Sequence, residues 1–316
     1  MRTLILNSSN ILPNTNNSVL KYNFPAGNVE FVKGQKIALA NLSMFYSTFN
    51  ITATYGNNKI GYKWVDNTEI TITIPDGFYD ITDLNNYIHQ IMIYNGHYLV
   101  NNDTSQFVYF ITIGSNASSY TFEINCFPMN ATTYVIGTGT GKYTLGTKQT
   151  GSTAPTWVVP TANIVPMLHI YAGQTDLLGF KAGYYPLGSP TYLEDVITGT
   201  PPAQTQATAY SVVQAYTSSS VPQITPLSSF VLTCSLLNNN YAVPNSLLYA
   251  FAPVGTFGNQ FQISPSGQFS FIDCQPGQYA SFTMTFLDQS LRPVAIQDPN
   301  VVILIVITDP VEQTTK

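Results

Sequence analysis

The stretch Gly137-Thr-Gly-Thr-Gly-Lys142 is the first whose residue types invite a chemical reading, since clustered glycines ahead of a lysine can cradle a phosphate in backbone N–H groups. The phosphate-loop spacing requires a glycine where Ile136 stands and a Ser or Thr where Tyr143 stands. The motif fails, and Gly137 to Gly151 reads instead as a flexible polar loop. Histidine is confined to His89, His97 and His169. None forms an HxH or HExxH pair, so a cupin metal centre or a metalloprotease lacks its ligands. His89 falls on a predicted helix and reads as a solvated or interface residue. Cys126, Cys234 and Cys274 are widely spaced and odd in number, which suits neither a disulfide framework nor a zinc set, so they read as small buried hydrophobes. Asp288, Arg292 and Asp298 form the dense charge group of the C-terminal part. They could hold an ion or a partner, but an arginine between carboxylates more simply orders a long connection between strands. There is no GxSxG elbow. No catalytic, cofactor-binding or metal-binding residue is assigned, and no enzyme activity is expected.

Charge is scarce throughout and absent over one long run. Only 9% of residues are charged against 44% hydrophobic, and the net charge is −5. From Val196 through Ile272 there is no Asp, Glu, Lys, Arg or His, where an average composition places a charged residue at about one position in four. A folded monomer relies on scattered charge for solubility, so a surface without it is expected to be covered by neighbours. The bases are dispersed, with Lys33/Lys36, Lys59/Lys63 and Lys142/Lys148 the close pairs, and after Lys181 the only cations are Arg292 and Lys316. No basic stripe is available to neutralise a run of phosphates, which argues against nucleic acid as a partner. The apolar core of the N-terminus, Leu4 to Leu6, is too short for a signal peptide, and the apolar run Val301 to Ile307 is about a third of a membrane span.

The elements that would position these residues are mostly strands. Glu69 to Ile74, Ser119 to Cys126 and Ser281 to Phe286 alternate apolar and polar residues with period two, as half-buried strands do. Gln106 to Ile113, Phe230 to Leu236, Ser18 to Phe24, Lys36 to Ser47 and Leu247 to Phe251 read as further strands. Val301 to Ile307 is apolar on both faces and so is expected in the middle of a sheet covered on both sides. Twenty-one glycines and twenty prolines punctuate the chain, favouring an antiparallel sandwich. One helix stands out: Asp80 or Thr82 can cap it, Leu84, Ile88 and Ile91 have helical spacing, and Gly96 can end it. Such a lone helix is expected to close one end of the sandwich. Thr198 to Pro226, rich in Thr, Ser, Ala, Gln and Pro, reads as an exposed loop or part of an insertion.

Three stretches together resemble the penton or minor capsid proteins of virophages and polinton-type viruses. They are SVLKYNFPAGNVEFVKGQKIALANLSMFYSTFNI at 18–51, ITIPDGFYDITDLNNYIHQIM at 72–92 and FTMTFLDQSLRPVAIQDPNVVILIVI at 282–307. The resemblance covers both ends of the chain well and 127–226 poorly. It implies an all-β, antiparallel jelly-roll sandwich formed by 1–126 and 227–316, with one short helix and with 127–226 as an inserted domain or long loops. It further implies a structural capsid protein that forms homopentamers at the fivefold vertices of an icosahedral virion, is assembled inside the host cell and contacts the major capsid protein of the same virion. No enzyme activity, cofactor or functional residue follows from it. A second reading is a receptor- or carbohydrate-binding jelly roll of a viral surface protein, which the twenty-one tyrosines and the stretches 137–151 and 198–226 suggest. The two overlap, because loops of a vertex protein can meet a host surface or a fibre protein.

Overall fold

The computed structural model describes residues 1–116, 118–149, 155–186, 214–224, 227–265 and 270–309. Most of the Thr198 to Pro226 stretch, and the end of the 137–151 loop, therefore lie outside the described residues. The chain divides into two compact units, Met1–Phe49 with Leu227–Lys316, and Asn50–Pro226.

The first unit begins with β1 (Arg2–Leu6), β2 (Val19–Asn23), β3 (Val29–Phe31) and β4 (Lys36–Phe45). The second carries β5 (Lys59–Lys63), β6 (Glu69–Thr73), the helix α1 (Ile81–Asn95), β7 (Leu99–Asn101), β8 (Phe107–Val108), β9 (Ile111–Asn116), β10 (Thr121–Cys126), β11 (Tyr143–Leu145), β12 (Met167–Ile170), the helix α2 (Thr175–Leu178), β13 (Gly183–Tyr185) and β14 (Gln214–Thr217). The chain then returns to the first unit with β15 (Phe230–Cys234), β16 (Leu247–Phe251), β17 (Gln260–Ile263), β18 (Ile272–Asp273), β19 (Gly277–Tyr279), β20 (Ser281–Leu287) and β21 (Val302–Ile307).

In the first unit one sheet has the order β1-β21-β4-β17 and the other β2-β20-β15-β16. All pairings in both are antiparallel. Taking these eight strands in chain order, the sheets run one-eight-three-six and two-seven-four-five, the double Greek key of a jelly roll. The fold is thus all-β, with a jelly roll whose chain is interrupted between its third and fourth strands. Its core is a single cluster that includes Leu6, Leu20, Phe230, Phe282, Phe286, Ile303 and Ile305, all essentially inaccessible to solvent. Phe282, Met284 and Phe286 point inward while Ser281, Thr283 and Thr285 point outward, as the alternation requires.

Three expectations are corrected here. The insertion begins at Asn50 rather than 127, because β5 pairs with β12 and β6 with β5, joining residues near 60–70 to residues near 170 by hydrogen bonds that no local pattern announces. The helix belongs to Asn50–Pro226 and not to the jelly-roll unit; it is capped by Asp80 and Gly96 as expected, with Leu84, Ile88 and Met92 buried in the second unit's own core. The expected strand at 106–113 is broken by the fully buried Phe110 into β8 and β9, which belong to different sheets. A further difference concerns β21: it is central in its sheet, but its outer face is covered only in part, with Val302 44% exposed and Val306 buried.

Because Phe286 is fully buried and meets Phe230 edge-on at 6.2 Å, Phe286→Ala is expected to destabilise the jelly roll by about 3–5 kcal/mol. Denaturant titration, read by the exchange of amide hydrogens in β15 and β20, measures this; a loss below 1 kcal/mol would contradict the core described.

Candidate assembly surface

The most unusual surface of the first unit is the outward side of its two sheets. On the first sheet Thr3, Ile5, Val302, Leu304, Asn41, Ser43, Phe45, Gln260 and Gln262 lie opposite the core and none is ionisable; the buried Ala38 and Val306 share that face, and Lys36 stands on it at the start of β4. Ile5 is 56% exposed, and Leu304, its cross-strand partner, is half-buried. The polar side chains of the other half bond to neighbouring neutral groups: Gln260 Nε2 donates to Ser43 Oγ at 2.8 Å and Asn41 Nδ2 to Ser264 Oγ at 2.8 Å. Charge appears at the margins, where Arg2 meets Asp309 at 3.7 Å and Lys36 meets Asp273 at 3.6 Å. The second sheet turns out Val19, Lys21, Ser281, Thr283, Thr285, Val231 and Thr233, with Lys21 the one ionisable group among them.

The charge-free run has two physical explanations, one for each part of it that is described. Phe230, Leu232, Cys234, Leu236 and Leu237 go into the core, where charge has no place. The connections flanking β16 do not: Tyr241 is fully exposed, Val243 is 86% exposed and Val254 is 61% exposed. Exposed apolar side chains on uncharged loops are the feature that self-association would use.

The groups singled out for chemistry are held by the protein itself. The N–H of Gly141 donates to the Asp103 carboxylate at 2.9 Å, so the glycine-rich loop is taken up by an internal anion, and Tyr143–Leu145 within it is a strand paired to β7. All three cysteines are free and buried, and desolvation pushes each thiol up to about 12, far from a reactive thiolate. Asp288 is buried and accepts the N–H groups of Ser290 and Arg292 and the Arg292 Nε, at 2.8, 2.9 and 2.8 Å. That ordering role goes to Asp288; Asp298 instead accepts the backbone N–H of Asn300 at 2.7 Å, while its own N–H donates to Ser47 Oγ. Among the described residues no three His, Cys, Asp or Glu side chains converge to hold a metal ion, and no helix is long and apolar enough to cross a membrane.

One cluster has no trace in local sequence. Glu69 Oε1 accepts from the Tyr184 hydroxyl at 2.7 Å and lies 2.9 Å from His169 Nδ1, and the His169 ring stacks on Tyr184 at 4.1 Å and meets Tyr171 at 4.2 Å with a tilt of 32°. The hydrogen bond to Glu69 pushes the Tyr184 hydroxyl up to about 12 and, from the other side, lowers the carboxyl of Glu69. The partners are 100 and 115 positions from Glu69, so only sheet pairing brings them together.

No protein-family model matches the sequence, and no curated protein does. Among solved structures the chain is similar to two virophage proteins. One is the penton protein of mavirus, in selenomethionine-labelled crystals, at 10% identity and a TM-score of 0.42, covering 98% of both chains. The other is a chain of the Sputnik virophage determined by cryo-EM, at 11% identity and a TM-score of 0.37, covering 97% of both.

The second unit also contains a titratable core. Tyr62 OH lies 2.8 Å from His97 Nδ1 and accepts from Asn95 Nδ2 at 3.3 Å, which leaves its own proton for the imidazole. The His97 ring stacks on Trp64 at 4.9 Å. Burial holds the His97 pKa down at about 4, against an ordinary 6.5, and burial lowers His89 as well. Because the folded pKa is depressed, the neutral ring stabilises the fold fully above pH 6.5, and that contribution falls away as pH drops from 6.5 toward 4. From His97 alone the loss between pH 7 and pH 5 should be about 2 kcal/mol. Urea unfolding of the second unit at the two pH values, compared with His97→Gln, measures it; an equal slope in the variant would refute the assignment.

Proposed function

We propose that this chain is a structural subunit of a viral capsid, located in the virion, that assembles as a homopentamer at the fivefold vertices beside the major capsid protein of the same particle. The observation that carries the reading is the jelly roll whose two outward faces hold a single ionisable side chain, Lys21, away from the strand ends. The three resembling stretches support it: two of them, 18–51 and 282–307, supply β2, β4, β20 and β21 of that jelly roll.

The physics favours a ring. In a cyclic assembly every contact is repeated around the axis, so an unpaired charge at the contact is repeated with it. At an effective dielectric of 20 a like-charge pair 4 Å apart costs about 4 kcal/mol, and five copies would cost roughly 20 kcal/mol. A face of Thr, Ser, Asn and Gln with Ile5, Val302 and Leu304 avoids that cost and still offers burial and neutral hydrogen bonds. The exposed loops bearing Tyr241 and Val254 remain available to a fibre or host-surface protein.

Native mass spectrometry and electron microscopy of the concentrated protein are expected to show five-membered rings. Ile5→Lys and Val302→Lys, both at exposed positions, should keep the melting temperature of the monomer within a few degrees and abolish the rings. A particle that stays monomeric at every concentration, and never enters assemblies with its major capsid partner, would sink the proposal.

A further inference from the structure

A cleft of the second unit lies along the solvent-facing side of α1 and has a volume of about 610 Å³, within the range of small-ligand sites. Its floor and walls are built from two directions. From the turn ahead of the helix come Gly77, Phe78 and Tyr79; from the helix come Asp83, Asn86, Tyr87 and Gln90. The helical residues are three, four and seven positions apart and so share one side of α1, opposite the buried Leu84, Ile88 and Met92.

The aromatic walls are fixed in place. The Tyr79 backbone N–H donates to Asn50 Oδ1 at 2.9 Å and its hydroxyl to the Pro75 carbonyl at 3.0 Å. Its ring lies across Gly77 so closely that a Cβ there would stand 2.7 Å from Cε2. Tyr87 meets it at a ring-centroid distance of 6.2 Å and an angle of 61°. The reciprocal cap of Asp80 and Asp83 holds the first turn of the helix beneath them.

The polar groups are arranged differently. Asn86 and Gln90 are exposed, and neither side-chain amide is hydrogen-bonded to another of the described residues. Asp83 uses one oxygen on the Asp80 N–H. The cleft therefore offers two amides, each both donor and acceptor, and a carboxylate beside two aromatic rings. No lysine or arginine lines it, and the carboxylates of Asp76 and Asp83 lie close enough to Tyr79 to act on its hydroxyl, whose pKa is raised chiefly by burial.

We propose that this cleft binds a neutral glycan, with the apolar face of a sugar ring on Tyr79 or Tyr87 and adjacent hydroxyls bridged by Asn86, Gln90 and Asp83. Sugar hydroxyls both donate and accept, which matches paired amides and a carboxylate, and the C–H face of a pyranose matches the electron-rich face of an aromatic ring. Sialylated, sulfated or phosphorylated ligands would set their charge against Asp76 and Asp83 with no cation to compensate. A purely apolar peptide would bury Asp83 and both amides without partners. The site is independent of the vertex reading, since it uses residues of Asn50–Pro226 alone.

The test is a glycan array probed with the full chain, holding neutral hexose and N-acetylhexosamine oligosaccharides next to sialylated and sulfated ones, followed by calorimetry on the strongest neutral sugar. Neutral oligosaccharides should bind, and the double variant Asn86→Ala/Gln90→Ala should weaken them by roughly tenfold or more, the loss of two net hydrogen bonds. Gly77→Ala, which displaces the Tyr79 ring, should weaken them as well, while Gln278→Ala on the first unit should change nothing. Circular dichroism confirms folding of each variant, and native mass spectrometry on the same samples reads assembly separately, so that failure of one idea is distinguishable from failure of the other. The proposal is overturned by absence of neutral-sugar binding at millimolar concentration, by binding confined to anionic sugars, or by binding that the double variant leaves intact.

Discussion

A β-sandwich normally spends its charge on the outward faces of its sheets, where ionised side chains keep the protein in water and apart from its copies. Here those faces carry, Lys21 apart, Thr, Ser, Asn, Gln and a few apolar residues, and the remaining charge retreats to strand ends such as Arg2 with Asp309 and Lys36 with Asp273. The rest of the first unit follows from that constraint. Neutral side chains must satisfy one another, as Gln260 and Ser43 do, and cross-strand neighbours such as Ile5 and Leu304 offer apolar area at the surface. Asp288, the one buried carboxylate among the described residues, is tolerated because two backbone N–H groups and the Arg292 Nε converge on it within four residues.

The inserted unit has a different chemistry. All three histidines and both tryptophans lie within Asn50–Pro226, and three of their rings pack together: Trp64 stacks on His97 and meets Trp157 edge-on at 5.2 Å. The jelly-roll core is built instead mainly from aliphatic residues and phenylalanine, with Phe230 in contact with both Phe251 and Phe286. A core of phenylalanine and aliphatic side chains has no group that takes up a proton in mild acid, whereas one that holds His97 neutral does on unfolding. The two units should accordingly respond differently to acid.

Much of this was legible in residue order. The strands at Glu69–Thr73 and Ser281–Leu287 follow their alternation closely, and α1 starts at Asp80 and stops at Gly96 because a side-chain cap and a left-handed glycine are local devices. The misreadings have a common cause. Residues 50–126 alternate in the same way as the jelly-roll strands around them, so their membership of the insertion could not be seen before β5 was found beside β12. The charge-free run looked like surface, yet β15 within it is buried, since absence of charge is equally compatible with a core and with a covered face. Glu69, His169 and Tyr184 gave no signal at all, being united only across a sheet.

Sequence alone determined the all-β character, the helix and its ends, the inert placement of the cysteines and the scarcity of charge, because each of these is set by a residue's own chemistry and its nearest neighbours along the chain. Tertiary structure decided which strands belong to the jelly roll, where the interruption starts, which uncharged residues face outward, and which tyrosines line a cleft with free amides. Those outcomes depend on hydrogen bonds between strands far apart in the chain, and a backbone N–H carries no mark of the carbonyl it will meet.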